Sequence, residues 1–186
     1  VRGALPGIGA ADGLMRGIRE RLLASEPANE RPRGAGPAPP IEQPWQWNRV
    51  IPVGKGSPAL PLLTLGWSFP EARWVWSNGN VARMRLPEPP GPSEIVLDFR
   101  LFPFSAPTLP SQRVRVSFDG RILGAATFSG EGSLAVIVPR RGGASDPLEL
   151  EWELPDARSP FEMGHSADIR RLGIALCSIS AFCLGS

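Results

Sequence analysis

Histidine and cysteine are scarce in this chain. Among 186 residues there is one histidine, His165, and there are two cysteines, Cys177 and Cys183. One histidine excludes a multi-histidine zinc site, and two cysteines on one strand do not complete a tetrahedral one. A Ser–His–Asp triad would have to use His165, yet no Gly-x-Ser-x-Gly elbow occurs. A lone histidine in a Gly-His-Ser loop reads as a loop-ordering residue. A Walker loop and a dinucleotide fingerprint are also missing. A glycosidase needs two carboxylates flanking a cleft; Glu71 and Asp168 are the candidates, and such residues occur in most chains of this size. These absences argue against an enzyme, a metal and a cofactor.

The cysteines fall six residues apart in what reads as one strand. They are expected to point the same way, roughly 20 Å apart at extended spacing. A disulfide needs Cα atoms within about 7 Å, so both are expected to be free, buried thiols. Net charge is also small, +2. The arginine clusters (Arg16, Arg19, Arg21; Arg31, Arg33; Arg140, Arg141) are interleaved with acids and read as solvated surface, with no nucleic-acid partner. No run of eighteen apolar residues exists, and residues 1–24 lack a continuous apolar core, so neither membrane insertion nor a signal peptide is expected.

Turn formers, by contrast, are abundant, with 22 prolines and 21 glycines. Asp12 is a good helix N-cap, and Leu14, Met15, Ile18 and Leu22 follow at helical spacing. A helix this short needs something to dock on. From Ser25 to Pro61 nine prolines predict an extended, semi-rigid arm. Trp45 and Trp47 interrupt it at a spacing that puts both on one face, which suits anchoring across a domain surface.

After Leu62 the pattern becomes that of strands. In Leu148–Leu154 four apolar residues alternate with three glutamates, so one face is core and the other water. Ile95 to Leu101, Val114 to Phe118, Leu134 to Val138, and Met84 with Leu86 behave alike. Asp119-Gly120 is a strong hairpin signal leading into Ile122 and Leu123. Leu172 to Leu184 is apolar on both faces, as a central or covered strand would be. The expected architecture is all-β: an antiparallel jelly-roll sandwich over 62–186, preceded by a short N-terminal α-helix in 1–24 and a Pro-rich arm over 25–61.

Two stretches stand out. Gly66 to Asn80 holds Trp67, Trp74 and Trp76 with Glu71, Arg73, Asn78 and Asn80. Sugars are held by aromatic rings against their apolar faces and by polar groups on their hydroxyls, and this stretch supplies both. The competing reading puts Trp74 and Trp76 together on the core face of a strand, with Glu71 and Arg73 ordering the loop. The second stretch, Ser159 to Leu176, carries Glu162, Asp168, Arg170 and Arg171, and Asp168 with Arg170, or either with Glu71, suits a buried ion pair that fixes the loop. The candidate ligand-binding residues are Trp67, Glu71, Arg73, Asn78, Asn80, Asp168 and Arg170.

Three segments together carry a family resemblance over about residues 62–184. They are Gly66-Trp67…Pro70-Glu71…Trp76-Ser77, the Gln112–Gly120 strand and turn, and Ser159-Pro160…Gly164…Ser166…Asp168…Arg170-Arg171-Leu172-Gly173-Ile174-Ala175-Leu176. The chain resembles the β-sandwich modules appended to bacterial glycosyltransferases that build surface polysaccharide. The resemblance implies a jelly-roll-like accessory domain tied to glycan synthesis or binding, but no transferase domain is present. Two functions are therefore expected: a non-catalytic module binding capsule or lipopolysaccharide glycan, or a structural adaptor of a phage-like particle or secretion apparatus. In either case residues 12–61 would attach the module to a larger protein assembly.

Overall fold

A computed structural model describes residues 45–87, 94–139 and 147–183. The expected helix in 1–24 and the arm as far as residue 44 lie outside the described residues. Eleven strands follow in chain order: β1 Arg49–Pro52, β2 Leu63–Leu65, β3 Trp67–Pro70, β4 Val75–Ser77, β5 Val81–Leu86, β6 Ile95–Pro103, β7 Gln112–Phe118, β8 Arg121–Phe128, β9 Gly132–Val138, β10 Leu148–Glu153 and β11 Ile174–Cys183. They form two antiparallel sheets. Sheet A has the order β3-β4-β11-β6-β9 with β1 also on β11, and sheet B the order β2-β5-β10-β7-β8. From β4 to β11 every strand crosses to the opposite sheet except at the β7–β8 hairpin, which is the jelly-roll connection.

Side-chain alternation decides what lies between the sheets. In β10 Leu148, Leu150 and Trp152 are buried while the glutamates face out. Register sets Glu151 opposite Arg83 and Glu153 opposite Arg115. The guanidiniums donate to those carboxylates at 3.1 and 2.7 Å. Such half-exposed pairs contribute little each, so the core carries the stability. The β7–β8 turn has Asp119 at φ 51° and Gly120 at φ 72°, the two positive angles that a type I′ hairpin requires.

Two expectations are corrected. The domain does not begin at residue 62: β1 pairs with β11 from Arg49↔Ala181 to Pro52↔Ser178. Trp45 and Trp47 meet edge to face at 5.7 Å and pack on the same core. A four-residue edge strand that includes a proline has no visible period, so composition alone reads it as arm. The cysteines also differ in direction. A bulge between Leu176 and Ser178 shifts the parity of β11, so that Leu176 and Ile179, three residues apart, both enter the core. Cys177 is left on the outer face, and Cys183 shares the parity of Ile179 and Ala181. Both thiols are half-buried rather than buried.

Gly66 joins β2 to β3 at φ 70°, and a Cβ there would be driven into the Val81 carbonyl. Gly66→Ala is therefore expected to destabilise the protein by at least ~2 kcal/mol, from left-handed strain and backbone displacement together. Urea unfolding measures it, and an unchanged midpoint would contradict the assignment.

Candidate functional site

The β3–β4 hairpin is the most densely braced part of the fold. Trp67 turns inward, its ring 6.0 Å edge to face from Trp152 and its indole N–H donating to the Arg83 carbonyl of sheet B at 2.8 Å. It is half-buried and packed against the core, with its N–H already engaged. Register passes from Trp67↔Ser77 to Pro70↔Val75, so β3 carries one residue more than β4. That bulge sits at Ser68–Phe69, and Phe69 is 87% exposed. The Glu71 amide donates to the Trp74 carbonyl at 2.9 Å and closes the turn.

In β4 Val75 and Ser77 face the core, so Trp74 and Trp76 share the opposite face. This corrects the reading of both tryptophans as core. The inner place of Ser77 has a cause: its Oγ accepts the Gly173 and Ile174 amides at 3.1 and 3.0 Å, where the chain enters β11. Outside, the two indoles meet Phe102 of β6 edge to face at 5.3 and 5.2 Å, and Trp76 also meets Phe104 at 6.3 Å. All four rings are half-buried, forming an aromatic wall over Ala175. Next along β11 is Cys177, its thiol pushed up by burial. The Glu131 charge adds to that rise, and the charges of Arg100 and Arg73 oppose it.

The 154–173 loop is tied to the hairpin by the other predicted residues. The Arg170 guanidinium clamps both carboxylate oxygens of Asp168 and reaches across to Ser68 Oγ at 2.6 Å. Asn78 Oδ1 accepts the Arg171 amide at 3.1 Å, and Asn80 Nδ2 donates to the Leu154 carbonyl at 2.9 Å. Asn78, Asn80, Asp168 and Arg170 are thus braces that hold the loops. Glu71 sits within electrostatic reach of Arg170. Phe161, whose amide bonds the Asp168 carbonyl at 2.9 Å, is 62% exposed, and Ile169 is 76% exposed. Among the described residues no group of three or more His, Cys, Asp or Glu is placed to hold a metal ion.

These braces depend on pH. The guanidinium of Arg170 holds the Asp168 carboxyl below its usual range. Arg113 does the same to Asp156, by hydrogen bonds at 2.7 and 2.8 Å, lowering it from 3.8 to about 2. A depressed carboxyl contributes stability that is full above its unfolded pKa and is lost as pH falls through the folded one. Stability is expected to fall from about pH 4 toward pH 2, and Asp156→Asn should shrink that fall. Urea midpoints at pH 7 and pH 2.5 measure it; an unaltered difference in the variant would refute the role of Asp156.

Arg73, Asn78, Asn80 and Phe69 are exposed, and Glu71, Trp74, Trp76 and Phe102 are half-buried, the Trp74 indole N–H being buried with no acceptor among the described residues. Phe102 and Phe69 carry no sequence signal of their own: Phe102 lies in the outer register of a strand whose other outer residues include Asp98 and Arg100, and a bulge such as the one at Phe69 has no local pattern.

No protein-family model matches the chain, and neither does any curated protein. Some solved structures share its backbone arrangement loosely. The CBM36-1 domain of a multidomain xylanase from the hindgut metagenome of Trinervitermes trinervoides is 11% identical over 74% of this chain and 98% of that one, with a TM-score of 0.40. The C-terminal CBM6 of LamC, a marine laminarinase of Zobellia galactanivorans, is 12% identical over 72% and 99%, with a TM-score of 0.40. A CBM36 carbohydrate-binding module in complex with calcium and xylotriose is 14% identical over 61% and 81%, with a TM-score of 0.34. Each is a likeness of backbone alone, and what the site does is read from its own side chains.

Proposed function

We propose that this chain is a non-catalytic carbohydrate-binding module for bacterial surface polysaccharide, capsule or lipopolysaccharide. The observation that carries the reading is the aromatic wall. Trp74 and Trp76 are set side by side on the solvent face of sheet A, against Phe102, by a hairpin that keeps Val75 and Ser77 inside. Indole and phenyl faces pack on the apolar faces of pyranose rings, and Glu71 and Arg73 on the same hairpin supply hydroxyl partners. Asn78, Asn80, Asp168 and Arg170 position this hairpin, and Trp67 anchors it from below. The resemblance to accessory modules of surface-polysaccharide glycosyltransferases supports the same ligand class. Attachment to a larger assembly falls to the segment before Trp45, since β1 is committed to its own sheet.

A second reading, an adaptor without a glycan ligand in an assembly such as a phage-like particle or secretion apparatus, is favoured by one observation. Phe69, Phe161 and Ile169 are large, apolar and exposed on segments joined by the Arg170–Ser68 and Phe161–Asp168 hydrogen bonds. Calorimetric titration of the full chain with purified capsular and lipopolysaccharide glycans separates the two. Saturable binding weakened by Trp76→Ala supports the glycan module. A folded chain that binds none of them supports the adaptor.

A further inference from the structure

Building on the glycan reading, we infer that the ligand is an acidic polysaccharide whose uronate carboxylates are read by Lys55 and Arg73. The two cations belong to separate turns that the backbone holds together. The Lys55 amide donates to the Glu71 carbonyl at 2.8 Å. Gly54, itself buried, lies so close to the 72–73 backbone that a Cβ would stand 2.7 Å from the Ala72 carbonyl oxygen and 2.9 Å from Arg73 Cα. Only glycine permits that approach, and the approach sets Lys55 beside Arg73.

Both side chains are exposed, and neither has a carboxylate within ion-pair distance among the described residues. Arg83, Arg100, Arg113, Arg115, Arg170 and Arg171 all do. What sets Lys55 and Arg73 apart from other arginines without such a partner among the described residues, such as Arg85 and Arg121, is that their turns are held against each other. The nearby acid, Glu71, acts electrostatically on Arg170. Arg73 directly precedes Trp74, the first ring of the aromatic wall. Its positive charge therefore borders the ring surface. A uronic acid offers both complements in one residue: an apolar ring face for the indole and a carboxylate for the cations. Arginine meets a carboxylate through two parallel N–H donors, which favours it over neutral hydroxyls.

The test uses the full chain and a panel of purified capsular polysaccharides, some uronate-bearing and some neutral, with the carboxyl-reduced form of each uronate polymer. Uronate polymers are expected to bind at least fivefold tighter than their reduced forms, with an affinity that falls as salt rises from 50 to 500 mM. In the Lys55→Met, Arg73→Met double variant the preference should vanish, native and reduced polymers binding equally. Equal binding of native and reduced polymers overturns the inference and leaves the glycan reading standing. The same holds for binding that survives reduction because the polymer bears phosphate. Failure of every polymer to bind a folded chain removes both.

Discussion

Trp152→Ala is expected to cost about 4 kcal/mol of stability, the range for emptying a large buried aromatic site. At this chain length that lowers Tm by about 10 °C. Trp152 is fully buried in β10 of sheet B, and its ring meets Phe99 of sheet A at 4.7 Å and Trp67 of β3 at 6.0 Å, both edge to face. It joins the two sheets and the hairpin anchor in one contact set, so a void there loosens all three. Its indole N–H is buried with no acceptor among the described residues. Trp152→Phe removes that orphan donor along with some volume, and should cost well under half as much as alanine. Chemical unfolding of the two variants measures both, and equal losses would show that the ring contacts do not set the stability.

The second large effect is on binding. Trp74→Ala and Trp76→Ala should each weaken polysaccharide binding about tenfold, the equivalent of about 1.4 kcal/mol for one stacked ring. The double variant should approach the loss of both. The wall lies outside the core, on the far side of β4 from Val75, so these variants should unfold within a few degrees of the parent. Trp67→Ala offers the contrast. It removes the Arg83 hydrogen bond and the Trp152 contact, so it should lower Tm and weaken binding only as the hairpin loosens. If all three variants lost binding in proportion to stability, the wall would be structural.

Much of the sandwich is legible in the sequence because β10 alternates strictly and β6 does so from Leu97 to Leu101, and because Asp119-Gly120 has one natural turn geometry. β1 is not legible: a short, proline-containing edge strand has neither period nor length. The bulges hide for a related reason. An inserted residue at Cys177 or Ser68–Phe69 follows from what the neighbouring strands bury, and that is not a local property. The tryptophans show the limit most clearly. The i, i+2 spacing of Trp74 and Trp76 establishes that they share a face without saying which. The choice is made by distant groups, the Gly173 and Ile174 amides that draw Ser77 inward. The ion pair of Asp168 with Arg170 and its bracing of the loop are readable from spacing, whereas its half-exposed setting is not.

The most direct test of the account is fluorine NMR of the full chain with its six tryptophans labelled as fluorotryptophan and assigned by single Trp→Phe variants. The titrant is a surface polysaccharide that binds. The account predicts saturable shifts of the Trp74 and Trp76 resonances, with Trp67 and Trp152 unmoved. Saturable binding that leaves Trp74 and Trp76 as still as Trp152 would contradict it.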